Sequence, residues 1–462
     1  MLAKFKKKYI GDWDFYQKYL LLAIPMILQN AITNLVSFLD NIMVGQLGTE
    51  QMSGVAIVNQ LIFVYNLAIF GAVSAASIFG AQYFGKGNHK GHMYSFRFKL
   101  YATLLVTGGA ILLFLTKGSA LISLYLTDTV GNGATDLALQ YGLEYLAIMM
   151  VGLIPFAVNQ SYATNIKETG QTFIPMLASF VAVGTNAILD YLMIFGIGPF
   201  PELGVQGAAL ATVIARYIEA LIVVIWAHIH RGKNRYLEGA YTGFGIPLAE
   251  LKAILIKGFP LMMNEVLWAA GMTTVTQCYS VRGLDVVAGL NIASTITNLF
   301  NIVYLQLGSC ISIVVGQYLG AGELEKAKDA DNKMIVFSVF CCVIVAVCML
   351  FMGRFFPQIY NTSEEIRALA TRFIAVSAII MPFCSFSHAS YFTLRSGGKT
   401  MVTFLFDSVF TWIVVVPTAF LLAHFTGLGI VSVYLLVQAT ELIKVVIGYF
   451  MVHSNVWLVQ MV

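Results

Sequence analysis

The stretch "AQYFGKG" at residues 81–87 decides the fold, because the chain carries it again as "GQYLGAG" at 316–322. Gln82, Tyr83, Gly85 and Gly87 fall on Gln317, Tyr318, Gly320 and Gly322, an offset of 235 residues. The same offset lays "AIPMILQN" (23–30) over "GFPLMMNE" (258–265), with Pro25 on Pro260, Gly48 on Gly283 and Gly54 on Gly289. Further along the offset drifts: Pro155 pairs with Pro382 at 227, and Gly207 of "GVQGAAL" with Gly429 of "GLGIVSV" at 222. Chance does not hold one offset across several loops and helices. The chain is a duplication.

The duplicated unit is built for a bilayer. Of 462 residues, 58% are hydrophobic and 11% charged, with a mean hydropathy of +0.80; soluble domains carry about 25% charge. Apolar windows of about 20 residues, the length of a spanning helix, fall near 19–44, 53–80, 95–117, 138–160, 171–196, 204–229, 250–280, 286–318, 332–353, 368–392, 401–424 and 428–453. Twelve transmembrane helices follow. A net charge of +4 is too small to point to nucleic acid. The start, "MLAKFKKKYIGDWDF", is basic, but the apolar run after it is full-length and lacks a small-residue cleavage site, so no cleaved signal peptide is expected. Cys278, Cys310, Cys341, Cys342, Cys348 and Cys384 lie in apolar runs without metal-ligand spacing and are expected to act as small buried hydrophobes.

Lys and Arg set the orientation. With a cytoplasmic N-terminus, nineteen of them, Arg97 and Lys99 included, fall in the N-terminal segment and the inner loops; five (Lys117, Arg282, Arg354, Arg367, Arg372) fall outside. Both termini are expected in the cytoplasm and the protein in the inner membrane. Six spans per copy make both copies enter the membrane in the same sense. The expected fold is an all-α membrane protein, two six-helix bundles related by a pseudo-two-fold axis along the membrane normal. The amino-terminal lobe is expected over 1–232 and the carboxy-terminal lobe over 233–462. This is transporter architecture; a receptor or enzyme needs no such duplication.

Catalytic motifs do not compete with that reading. "SGGKT" at 396–400 resembles the end of a P-loop, but Thr393 stands where the first glycine belongs. "GKGNHKG" at 85–91 follows a membrane helix and not a strand. No H-E-x-x-H or G-x-S-x-G occurs, and no soluble segment exceeds about thirty residues, which excludes an ATP-driven pump. Neither an enzyme nor an organic cofactor is expected.

An ionisable residue inside a span costs about 2.5–3.5 kcal/mol on the lenient insertion scale and is a functional candidate by default. Asp40 in the first span and Asp190 in the fifth lie roughly 7–9 Å below the outer face, at 1.5 Å per residue; Thr212 in the sixth reaches a similar depth. Asn186 and Asp190, at i and i+4, share one helical face. Two carboxylates, an amide and a hydroxyl at one level make an oxygen site for Na⁺ or a seat for a proton. The plainer alternative is that Asp40 lines a wet vestibule and Asp190 is hydrogen-bonded for structure. Glu265, in the seventh span, replaces the first copy's Asn30, and a position polar in one copy and acidic in the other is hard to explain by packing; it is a candidate for substrate or proton handling. Glu219 with Arg216, and Glu441 with Lys444, are expected to pair within their own helices. Asp407 has no partner nearby in sequence and stays open between roles. His388 is expected to be a buried, satisfied imidazole. Pro25 removes an interior backbone bond and is expected to let the first helix bend.

Together the 6+6 spans, "IPMILQNAITNLVSFLDNIMVGQLG" (24–48), "NAILDYLMIFG" (186–196), the paired "QYFGKG"/"QYLGAG" loops and "TLRSGGKT" (393–400) resemble the multidrug and toxic compound extrusion (MATE) family. The likeness covers essentially the whole chain, and the carboxylates of the first and fifth spans resemble the bacterial DNA-damage-inducible-type branch. It implies that Asp40, Asn186 and Asp190, with Thr212, form the amino-lobe cation site, and that Pro25 bends the first helix. Other branches add a carboxy-lobe site built from acids of the seventh and tenth helices. Here Cys384 occupies the tenth-helix position, which leaves Glu265 without that partner. The implied function is a cation-coupled (H⁺ or Na⁺) multidrug antiporter exporting amphipathic, cationic organic compounds by alternating access. Its implied partners are drug-like small molecules and the lipid bilayer, with the protein a monomer. The alternative is a lipid-linked-precursor flippase of the related superfamily, which would show a basic cavity and often two further helices. The mid-membrane charges without local partners (Asp40, Asp190, Glu265, Asp407) are all acidic instead.

Overall fold

In the computed structural model, residues 8–126, 132–243 and 245–462 are described. The spanning elements are α1 (Trp13–Gly45), α2 (Thr49–Lys86), α3 (His89–Ser123), α4a (Asn132–Val151) with α4b (Leu153–Glu168), α5 (Phe173–Ile194), α6 (Gly204–Ile229), α7 (Leu248–Ser280), α8 (Leu284–Gly320), α9 (Leu324–Met352), α10 (Glu364–Ser396), α11 (Thr400–Phe425) and α12 (Ile430–His453). Eleven of these are long and apolar enough to cross a bilayer, and twelve spans result when the α4 pair counts as one. The expected continuous fourth span is bent by 44° between α4a and α4b. Its cause is readable locally: Gly152 sits at the break, and Pro155, with no N–H, cannot bond back to the carbonyl of Val151. Large apolar side chains such as Leu105, Leu115, Phe351 and Phe450 stand exposed, as expected of helices whose outer solvent is lipid.

Contacts divide the chain into two compact units. One gathers α3–α6 with α1 from Leu28 onward, α2 to Gly80, and the chain to Lys252. The other gathers α7–α12, α1 as far as Ile27, and residues Ala81–Asn88 at the end of α2. The expected 1–232 and 233–462 lobes divide the chain by its repeat, a different criterion from compactness. The repeat is visible in the packing too: α4 packs against α3 and α6, and its counterpart α10 against α9 and α12. The first unit's core is built round Val58, Ile69, Leu146, Met149 and Ala209; the second has Phe373, Ile374, Met349 and Val433 at its centre.

The duplicated loop explains itself in the second unit. A Cβ on Gly85 would lie 1.9 Å from the carbonyl oxygen of Gln317, and one on Gly320 would lie 1.9 Å from that of Gln82. These contacts are exchanged by the 235-residue offset, so the ends of α2 and α8 cross in a repeat-symmetric way that only glycine permits. Gln82 is wholly buried. Its Nε2 donates to the carbonyls of Ser396 (2.9 Å) and Val459 (3.2 Å), and its Oε1 accepts from the Met461 amide (2.8 Å).

Three expectations need correction. Arg97 and Lys99 are buried side chains of α3 and not loop charges. Arg97 donates to the carbonyls of Gly239, Ala240 and Gly245; Lys99 donates to Asn165 and to Glu168, which also meets His92. Burial of a cation requires such partners, and carbonyls or carboxylates far along the chain supply them. Of the six cysteines, Cys278, Cys310 and Cys342 are buried, Cys341 and Cys384 are half-buried, and Cys348 is exposed. Finally, the in-helix ion pairs expected for Glu219 and Glu441 do not form, as described next.

Candidate cation site

The amino-terminal site is assembled by a glycine. A Cβ on Gly207 would stand 2.6 Å from the carbonyl oxygen of Met193, so its absence lets α6 lie tightly along α5. Thr212, five residues further on, then comes against Asn186, whose Nδ2 donates to Thr212 Oγ1 at 3.5 Å. One turn along α5, Asp190 is 1% exposed. Asp40 faces it from α1, carboxyl toward carboxyl. Both Asp190 oxygens and Asp40 Oδ1 are buried and receive no hydrogen bond. Tyr145 of α4a, buried, with its hydroxyl donating to Asn59 Oδ1 (3.3 Å), stands in the field of both acids. The structure thus brings together Asp40, Asn186, Asp190 and Thr212, and adds Tyr145, which one aromatic among many in an apolar run did not betray.

Elementary electrostatics defines what this arrangement can do. Buried polar atoms normally find partners, and leaving a charged one unpaired is costly. Two facing carboxylates in a low-dielectric site titrate as a unit and favour either a shared proton or a cation between them. Three donor-free carboxylate oxygens beside an amide and a hydroxyl are all-oxygen chemistry, suited to a hard cation such as Na⁺. The donor set suits Na⁺ or a proton.

The neighbouring charges are arranged otherwise than spacing suggests. Glu219 accepts from the hydroxyl of Ser179, which in turn accepts from Gln29 Nε2 (2.7 Å). Arg216 turns away, over the Phe156 ring (5.1 Å) and toward the Gly152 carbonyl (3.4 Å). In the second unit Lys444 bonds Asp407 Oδ1 at 2.9 Å and not Glu441. Asn264 Nδ2 donates to Asp407 Oδ2 (3.1 Å), and Ser408 Oγ holds Asn264 Oδ1 (2.8 Å). Asp407 lies in the first of two π-helical stretches of α11, Leu405–Val409 and Thr411–Val415, an irregularity that often marks functional positions. The acids without ion-pair partners are therefore fewer than expected, because Asp407 has one. Glu265 is half-buried in α7, with Arg395 and Asp407 as charge neighbours. His388 is half-buried, not fully buried as expected: its Nδ1 meets the Cys384 carbonyl (3.0 Å) and its ring lies 4.7 Å from that of Tyr304, tilted by 53°. Pro25 is buried within α1, two residues before the helix passes from one compact unit to the other.

Known proteins share this fold. A family model described as MatE matches twice, over residues 25–192 and 260–421, once in each half. The chain is 22% identical over 438 residues to a probable multidrug resistance protein NorM of Thermotoga maritima, covering 94% of this chain and 92% of that one. A probable multidrug resistance protein NorM of Halalkalibacterium halodurans is 24% identical, with 89% and 88% covered. The fold is similar to that of a MOP superfamily transporter from Pyrococcus furiosus, with a TM-score of 0.85, 19% identity and 96% of each chain covered. One duplicated all-helical fold, matched in both halves, places the chain in the MATE family of multidrug-efflux membrane transporters, which are not enzymes.

Proposed function

We propose that this protein is a cation-coupled antiporter of the inner membrane that exports amphipathic, cationic organic compounds in exchange for H⁺ or Na⁺. The observation that carries the reading is the Asp40–Asp190 pair, with three buried carboxylate oxygens that no donor satisfies. Such a pair takes up a cation or proton while open to one side and releases it only after it has been exposed to the other, which is the requirement of ion coupling. Asn186 and Thr212 set its geometry, and Tyr145 is the hydroxyl best placed to follow the pair's charge. Glu265 handles substrate or proton in the other half. Pro25 gives α1 a flexible point where its allegiance changes between units, and alternating access proceeds by rocking of the two repeat lobes, 1–232 and 233–462. Both termini face the cytoplasm, and the protein works as a monomer.

The test is uptake of ethidium into inverted vesicles under a proton gradient alone and a sodium gradient alone. Uptake driven by one of them, and lost in Asp190→Asn, supports the reading. Uptake indifferent to both gradients overturns it.

A further inference from the structure

The Asp407–Lys444 pair is one cation short of its acids. Lys444 Nζ sits 2.9 Å from Asp407 Oδ1, with the two side chains 7% and 17% exposed. The second acid acting on the same ammonium is Glu441, one turn earlier on α12. Its Oε1 is buried and receives no hydrogen bond. Asn264 steadies Asp407 from α7, and its own amide oxygen is held by Ser408. The rings of Phe406 and Phe410 lie 5.4 Å and 6.0 Å from the ammonium. The other titratable groups facing this cluster are Glu265 of α7, Tyr304 of α8, and Cys384, His388 and Tyr391 of α10; His388 is engaged with the Cys384 carbonyl. One ammonium thus lies between two carboxyls, bonded to one and within in-helix reach of the other.

From this geometry we infer that Lys444 is a two-position lysine: it occupies Asp407 in the structure described and moves to Glu441 when an aromatic organic cation with N–H donors takes its place at Asp407. The exchange conserves the lysine's ion pair and creates a second. It also gives the donor-free Glu441 oxygen a partner, so the buried cluster gains compensation on binding instead of losing it. The rings of Phe406 and Phe410, which flank the lysine now, are the surface on which a flat cation stacks. Short π-helical turns around Asp407 give that part of α11 the local slack an exchange needs. The inference rests on the export reading for the class of ligand, and assigns that ligand a docking point in α11 and α12.

The test is a fluorescence titration of the purified full chain in detergent with ethidium, alongside thermal unfolding. Removing the lysine's second seat by Glu441→Gln should raise the ethidium Kd about fivefold, and Asp407→Asn about tenfold, both with the folded state retained. Lys444→Met vacates Asp407 and should lower the Kd about fivefold, a gain that the added Asp407→Asn removes. A purely structural lysine predicts the opposite sign, weaker binding in Lys444→Met, and that result overturns the proposal. Where Lys444→Met does not yield folded protein, Glu441→Gln decides, and a Kd within about twofold of wild type overturns the inference. Vesicle transport separates the two readings. Ethidium that binds with this pattern but is moved by neither gradient sinks the coupling proposal and leaves the docking site standing; gradient-driven export without the pattern does the reverse.

Discussion

Two acid sites of this duplicated chain, Asp40–Asp190 and Asp407–Lys444, are built in opposite ways. At α1 and α5, Asp40 and Asp190 face each other with no base between them and three oxygens without donors. At α11 and α12, Asp407 has a lysine of the chain itself bonded to it and an asparagine behind that. The first site sets acid against acid; the second carries a cation on a side chain. Duplication supplied two copies of a fold, and the chemistry diverged by placing a base at 444, for which the first copy's counterpart at the 222-residue offset is Ile222. A difference of that kind predicts different responses to charge removal.

The largest effect belongs to the open pair. Asp190→Asn keeps size and removes the charge that the proposed coupling cation would neutralise, so gradient-driven export in vesicles should fall at least about tenfold. The protein should stay folded, with detergent thermal stability equal to wild type or slightly above it, since an unsatisfied buried carboxylate is gone. Asp40→Asn should behave alike, and the double variant should be little worse than either, because coupled groups act as one. Normal coupling in Asp190→Asn breaks the comparison at once.

The closed pair should respond in stability first. Removing one member of a buried ion pair leaves the other uncompensated and costs about 3–5 kcal/mol, whereas replacing both is close to neutral. Lys444→Met should accordingly be strongly destabilised in chemical or thermal unfolding, and Asp407→Asn with Lys444→Met should recover most of the loss. Additive losses in the double variant would mean the two residues are not a unit.

Much of this was legible in the sequence, and what was not shares one cause. Apolar run length located all twelve spans, because a helix of about 20 residues is what a bilayer demands. The repeat motif marked a close approach whose partner segments could be named, since Gly85 and Gly320 recur at one offset. The candidate site was legible because Asn186 and Asp190 sit four apart and Asp40 and Thr212 can be placed by depth. Side-chain partners across helices were not. Spacing along α12 favoured Glu441 for Lys444, and along α6 Arg216 for Glu219; the structure gives Asp407 and Ser179 instead. In-helix pairs contribute only about 0.2–0.5 kcal/mol, so a better-placed acceptor on a neighbouring helix wins, and sequence spacing carries no record of it. The π-helical turns at Asp407 and the break at Gly152 also depend on packing, although Pro155 hinted at the second.

Glu219 and Glu441, equivalent at the 222-residue offset, sharpen the contrast at lower amplitude. Ser179→Ala strips the hydroxyl that Glu219 accepts from and should cost about 1.5–3 kcal/mol, the range for hydrogen bonds to charged groups. Glu441→Gln should leave stability within about 0.5 kcal/mol of wild type, because no donor serves its buried Oε1. Equal losses in unfolding experiments would show that Glu441 has a partner after all.

The smallest effect concerns Glu265, where the two halves come nearest to resembling each other. In the first copy the matching residue is Asn30, so the acid is an addition of the second. The tenth-helix position that would complete a two-acid site is Cys384, and the charges acting on Cys384 are those of Glu441 and Lys444. Those acting on Glu265 are Arg395 and Asp407. Its acidic neighbour is therefore on α11, and that neighbour is already held by Lys444. Glu265 has no second open carboxylate with which to hold a coupling cation, so neutralising it should tune export without abolishing it. Glu265→Gln should lower ethidium export about threefold, under 1 kcal/mol, with membrane expression and thermal stability near wild type. Adding Lys444→Met should enlarge the effect, because Asp407 is then free to act with Glu265 and the second half comes to depend on an external cation. Export of wild-type strength in Glu265→Gln, combined with a lower yield of folded protein, would make Glu265 a structural acid and leave ion coupling entirely to Asp40 and Asp190.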